Sequence, residues 1–85
     1  LLLQLSHETG YSASYISRVF KKETGYTIGE YLLQLRIDES KFLLRQHSLT
    51  ITEIAQRSGF YDSSHFSKYF RRYTGLTPIQ YRLSN

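Results

Sequence analysis

"SYISRVFKKETGYTIGEY", residues 14–31, and "SHFSKYFRRYTGLTPIQY", residues 64–81, decide the fold. Laid over one another at a shift of fifty positions, they share seven identities in eighteen: Ser14/Ser64, Ser17/Ser67, Phe20/Phe70, Thr24/Thr74, Gly25/Gly75, Thr27/Thr77 and Tyr31/Tyr81. Arg18, Lys21 and Lys22 fall opposite Lys68, Arg71 and Arg72, so positive charge repeats with the identities. Upstream the shift becomes forty-nine, and Leu5, Gly10 and Tyr11 pair with Ile54, Gly59 and Phe60. The second copy therefore carries one extra residue just after its glycine. Such a repeat means two similar supersecondary units.

Stop and start chemistry sets the helix boundaries. Gly10, Gly25, Gly59 and Gly75 each follow a periodic segment, where a left-handed C-terminal cap suits glycine. Thr27-Ile-Gly-Glu30, Thr50-Ile-Thr-Glu53 and Thr77-Pro-Ile-Gln80 read as capping boxes, and Pro78 stands at a first helical position that needs no N–H. Asp62 and Ser12 are the caps expected for two further helices. The spacing predicts six helices, at about 1–9, 13–24, 28–47, 51–58, 63–74 and 78–83, and no strand. Helix, glycine, short turn, helix occurs twice, with Ile16 and Phe66 locking the second helix of each pair and the small Ala55 permitting close approach.

The fold class expected is all-α: two helix-turn-helix subdomains, residues 1–26 and 49–85, joined by a long central helix over 27–48 in a tandem, homeodomain-like arrangement. That central helix is apolar on two sides, with Ile28, Tyr31, Leu32, Leu35, Phe42 and Leu43 on one and Leu33, Ile37 and Leu44 opposite, which predicts burial on both. Glu39 falls within the larger stripe and calls for a basic partner or a local opening. About twenty helical residues span roughly 30 Å, close to the ~34 Å between successive major grooves on one side of B-DNA.

Projected at about 100° per residue, the helix over 13–24 turns Ile16, Val19 and Phe20 inward, and the helix over 63–74 turns Phe66, Tyr69, Phe70 and Tyr73 inward. Short hydroxyls flanked by cations remain outside. One such face is an ordinary solvated helix surface, but two at the same register point to a shared partner. A helix of this kind fits the DNA major groove, where small side chains allow close approach to base edges and cations reach guanine acceptors or phosphates. Base-edge candidates are Ser14, Tyr15, Ser17 and Arg18 in the first unit and Ser64, His65 and Lys68 in the second. Lys21, Lys22, Arg71 and Arg72 lie farther along and are phosphate candidates. The two readers differ, which predicts an asymmetric double-stranded target.

Composition trims the alternatives. The 85 residues carry 11 Lys and Arg against 7 Asp and Glu, a net charge of +4, and this moderate excess matters through its clustering. There is no cysteine, so disulfides and thiolate metal sites are excluded and a cytoplasmic home is compatible. No apolar run approaches the ~18 residues of a membrane span, and no signal peptide is visible. His7, His47 and His65 have no metal-ligand spacing, and no phosphate-cradling glycine loop is present, so neither an enzyme, a metal site nor a cofactor is expected. RNA binding requires exposed aromatics for stacking, and Tyr15 and Tyr61 are the candidates. The alternative function is a helical protein–protein interaction module without specific DNA binding, which would show an exposed apolar stripe.

Residues 54–82, "IAQRSGFYDSSHFSKYFRRYTGLTPIQYR", bring Gly-Phe, Phe-Ser, Phe, Gly, Thr-Pro and Tyr-Arg together in order. This stretch resembles the signature of the AraC/XylS family of bacterial transcription regulators, and residues 10–40, "GYSASYISRVFKKETGYTIGEYLLQLRIDES", resemble that family's first motif and linker helix. The resemblance covers essentially the whole chain. It implies a seven-helix DNA-binding domain that acts at promoters with RNA polymerase, located in the cytoplasm on the nucleoid. It also implies that a sensory or receiver domain accompanies this one in the full-length protein. The family's domain usually begins with a further helix before "LLLQLSHETG", so a start that is truncated or incompletely ordered is expected.

Overall fold

A computed structural model of the chain describes residues 2–84. Leu1, where the first helix was expected to begin, and Asn85 lie outside the described residues. Among those residues the fold is all-helical: α1 (Leu2–Thr9), α2 (Ala13–Thr24), α3 (Ile28–Leu44), α4 (Ile51–Arg57), α5 (Ser63–Thr74) and α6 (Pro78–Ser84). The helices group into two compact units, one running through Leu33 and the other beginning at Gln34, so that α3 contributes to both.

The repeated residues earn their repetition at the helix ends. Gly25 and Gly75 take left-handed conformations at φ 81° and 80°, and each donates its N–H to the carbonyl four residues back, on Lys21 and Arg71. The threonine before each glycine completes the stop. Thr24 donates its hydroxyl to the Phe20 carbonyl and accepts the Tyr26 N–H, and Thr74 does the same with Phe70 and Leu76. These bonds satisfy backbone groups that a helix end leaves free. Thr27 and Glu30 exchange the two hydrogen bonds of a full capping box, as do Thr77 and Gln80. At Thr50 the expected box is only half formed. The Glu53 N–H reaches the Thr50 hydroxyl, but the Glu53 carboxylate accepts that same hydroxyl's proton instead of the Thr50 N–H.

The first unit is α1 packed on α2, with the opening turns of α3. Among its described residues none is fully buried. Leu5, Ile16 and Phe20 are half-buried, and the Phe20 ring meets Tyr31 edge-on at 5.5 Å. Beside them lies an open, mainly apolar groove of about 400 Å³ between α1 and α2. Val19, expected inward, is 39% exposed because it stands at the flank of the apolar face.

The second unit has a true core: Ile37, Leu43, Leu44, Ile54, Ala55, Phe60, Phe66 and Phe70 are buried. Its centre is a chain of aromatic rings, Phe60 to Phe66 at 5.0 Å, Phe66 to Phe70 at 5.6 Å and Phe70 to Tyr81 at 5.3 Å. Ala55 is wholly buried, as its small size at the helix crossing requires. Gly59 adopts φ 83°, and a side chain there would also meet the Arg36 Nε, 3.1 Å from its Cβ position. Tyr73, expected inward, is 38% exposed in the last turn of α5.

The central helix departs from expectation twice. It ends at Leu44 rather than residue 47, and the chain passes through tight turns in which Arg45 and Gln46 bond back three residues to Phe42 and Leu43. Arg82 of α6 holds this ending in place, donating to the carbonyls of Leu44 (3.0 Å), Leu49 (2.8 Å) and Gln46 (3.4 Å). Nor is α3 buried on both sides. Ile37, Ser40 and Leu44 face the core, whereas Leu35 and Phe42 are 46% and 59% exposed. Glu39 is exposed as well and needs no neutralising partner.

Candidate nucleic-acid interface

The second helix of each pair starts at a side-chain cap that accepts the N–H of an aromatic residue in its first turn, in each case a base-edge candidate. Ser12 accepts the Tyr15 N–H at 3.1 Å, and Asp62 accepts the His65 N–H at 2.7 Å. An aromatic from the preceding turn backs each of these candidates. Tyr11 lies 4.8 Å from Tyr15, and Phe60, its counterpart in the repeat, lies 5.7 Å from His65. The two units thus present an aromatic side chain at the same place by the same device.

Most of the residues singled out from sequence stand in solvent. Ser14, Tyr15, Arg18, Lys21 and Lys22 on α2 are exposed, and so are Ser64, His65, Lys68, Arg71 and Arg72 on α5. Ser17 and Ser67 are only half-exposed. With Phe66 and Phe70 defining the inward direction, Ser67 lies about 80° to one side of it, at the boundary of the packed face. Tyr15, Arg18, Val19 and Lys22 line a shallow cleft of about 220 Å³ on α2.

Lys21 differs from its counterpart Arg71 in having local acceptors. Its ammonium donates to the Gly25 carbonyl at 3.1 Å and lies 4.0 Å from the Glu30 carboxylate. Glu30 in turn titrates below its ordinary value of 4.5. The Thr27 N–H bonded to its carboxylate is the main cause, followed by the Thr27 hydroxyl, while partial desolvation opposes them and the Lys21 charge assists.

One member of the surface was missed by the helical projection. Tyr69 was expected inward but is half-buried, about 80° from the inward direction on the side opposite Ser67. Its ring meets His65 edge-on at 4.7 Å and lies 5.8 Å from the Lys68 ammonium and 5.4 Å from the Arg72 guanidinium. Tyr69 follows His65 by four residues and precedes Arg72 by three, so the spacing held the signal. Tyr61, the extra residue of the second turn, is 88% exposed just before the Asp62 cap. Among the described residues no cluster of His, Asp or Glu is arranged to hold a metal ion, and no helix is long and apolar enough to cross a membrane.

The chain is similar to known proteins along nearly its whole length. Residues 5–84 match the helix-turn-helix domain family. The HTH-type transcriptional activator RhaR of Cronobacter sakazakii is 51% identical over 67 residues, covering 79% of this chain and 24% of RhaR. The chain spans about a quarter of the length of the curated relatives it matches. A transcriptional regulator of the AraC-type DNA-binding class from Chromobacterium violaceum superposes with a TM-score of 0.88 at 30% identity, covering 99% of this chain and 75% of that one. The DNA-binding domain of the global transcriptional factor AdpA, solved in complex with a target DNA, superposes at 0.86 with 26% identity, covering 99% and 76%. With the match running through both units and all six helices, the chain belongs to the AraC-type helix-turn-helix family of transcription regulators.

Proposed function

We propose that this chain is the DNA-binding output module of a bacterial transcription regulator, reading double-stranded DNA in a sequence-specific way through α2 and α5. The observation that carries the reading is the duplicated exposed face: hydroxyl, aromatic and cation recur at one register on two helices with matched caps. Ser14, Tyr15, Ser17 and Arg18, with Ser64, His65 and Lys68, contact base edges. Lys22, Arg71 and Arg72 contact phosphates, and Lys21 joins them once released from Gly25 and Glu30. The readers differ between units, so the site is asymmetric, with its two parts about one helical turn apart in successive major grooves. The short span relative to its curated relatives supports a further sensory or receiver domain in the full protein. RNA polymerase at promoters is the expected protein partner, and activation the expected effect, on the cytoplasmic nucleoid.

A duplex of about 20 base pairs, selected from a random pool by this chain, tests the reading by fluorescence anisotropy. Affinity should fall steeply with salt. Arg18→Ala and Lys68→Ala should each reduce discrimination between selected and scrambled duplexes by about tenfold or more. Lys22→Ala and Arg72→Ala should weaken both duplexes about equally and lower the salt slope by about one each. If all four variants bind both duplexes as the unaltered chain does, the assignment of α2 and α5 to DNA fails.

A further inference from the structure

We infer that Tyr69 is a positioning residue for DNA binding, its ring holding Lys68 and Arg72 in the orientation in which α5 meets the duplex. The inference rests on the reading that α5 faces DNA, and it assigns a role to a side chain that touches no base or phosphate itself. A cation within about 6 Å of an aromatic centroid is attracted to the ring's negative face. Both neighbouring cations of Tyr69 satisfy this, at 5.8 Å and 5.4 Å. The ring also meets His65 at 4.7 Å, so one aromatic platform touches a candidate reader and two candidate DNA cations.

The energetic reason is entropy. A free lysine or arginine side chain samples many rotamers, and binding a phosphate or base edge confines it. A ring that already biases two such chains removes part of that cost before DNA arrives. Tyr69 itself is well placed for the task, because its half-buried body is fixed at the edge of the core while one flank stays open to the cations. The first unit provides the contrast within the same molecule. Val19 occupies the matching position of the repeat, and an open cleft of about 220 Å³ remains between it, Tyr15, Arg18 and Lys22. Arg18 and Lys22 therefore lack the aromatic support that Lys68 and Arg72 have, and the two reading helices differ in how far their charges are organised in advance.

The test combines conservative and disruptive changes with a double-mutant cycle on the selected duplex. Tyr69→Phe keeps the ring and should bind within about twofold of the unaltered chain. Tyr69→Leu keeps an apolar body without the ring and should weaken binding about fivefold, the size expected for exposed cation–ring contacts. In a chain carrying Lys68→Ala and Arg72→Ala together, Tyr69→Leu should have no further effect, because the two cations it is inferred to act through are gone. A Tyr69→Leu loss that persists at full size in that background would assign Tyr69 to folding or to its contact with His65 and overturn the inference, as would Tyr69→Leu binding like the unaltered chain. Tyr69→Phe falling as far as Tyr69→Leu would shift the role to the hydroxyl and overturn it as well. If the Lys68→Ala, Arg72→Ala chain itself binds the duplex normally, the DNA-facing assignment of α5 is what fails.

Discussion

At the scale of the residue, Arg82 shows how a side chain can end a helix from a distance. Its guanidinium donates to the carbonyls of Leu44 and Leu49 at 3.0 Å and 2.8 Å, and more weakly to Gln46. The Leu44 and Leu49 carbonyls are left over where α3 stops and the following turns begin, whereas Gln46 also accepts the Leu49 N–H, and a cation at a helix C-terminus meets the negative end of the helix dipole. Hydrogen bonds from a charged group are each worth about 1.5–3 kcal/mol, and breaking a half-buried set of them leaves carbonyls to find water. Arg82→Ala should therefore lower the stability of the second unit by about 2–3 kcal/mol, read as a reduced urea midpoint with an unchanged slope. A loss under about 0.5 kcal/mol would show the contacts to be incidental. The sequence placed Arg82 in a recognisable motif but gave no hint of this task. Its partners are backbone carbonyls 33 to 38 positions away, and a carbonyl has no letter in a sequence.

At the scale of the element, the caps were legible because their chemistry is local. Ser12, Thr27, Asp62 and Thr77 each cap the helix assigned to them, since an N-cap needs only a short oxygen-bearing side chain within three residues of a free N–H. The length of α3 was misread for the opposite reason: nothing near residues 45–47 forbids a helix, and its end is set by turns and by α6. The inward face was read correctly at Phe66 and Phe70; Val19 and Tyr69 lie about 80° from the centres of their faces, where burial is left to the neighbouring packing, and Tyr73 is exposed because it stands in the last turn of α5. The Thr27–Glu30 box yields a measurable consequence. Because Glu30 titrates below 4.5 in the folded chain, its contribution is fully present above the unfolded value and is lost as pH falls through the lowered, folded one. The Thr27 amide proton resonance should then titrate with a midpoint below 4.5. Glu30→Gln should abolish that titration, and the stability gap between the two proteins should close as pH falls from 6 toward 3. A Thr27 midpoint at or above 4.5 would contradict the hydrogen-bonded carboxylate.

At the scale of the molecule, α2 and α5 form a natural controlled comparison. Both are 12 residues long, both begin at a side-chain cap, and both end with threonine followed by a left-handed glycine. What separates them is burial. Phe66 and Phe70 are wholly enclosed in an aromatic core, whereas Ile16 and Phe20 are half-exposed beside an open groove. Fully burying a large apolar side chain is worth about 1.5–3 kcal/mol, so half-burial of two leaves α2 short by about 2 kcal/mol relative to α5. Helices of this length draw most of their stability from packing rather than from propensity. Local opening should follow that difference, and amide hydrogen exchange in native conditions should be about thirtyfold faster at the centre of α2 than at the centre of α5. Amides of α3 near Ile37 and Leu43 should exchange slowly with those of α5, since they belong to the same core. Adding the selected duplex should slow exchange in α2 by a larger factor than in α5, because binding confers more order on the helix that has less. Equal protection of the two helices in the free chain would mean that caps and turns, which they share, govern their stability, and that the difference in packing carries no weight.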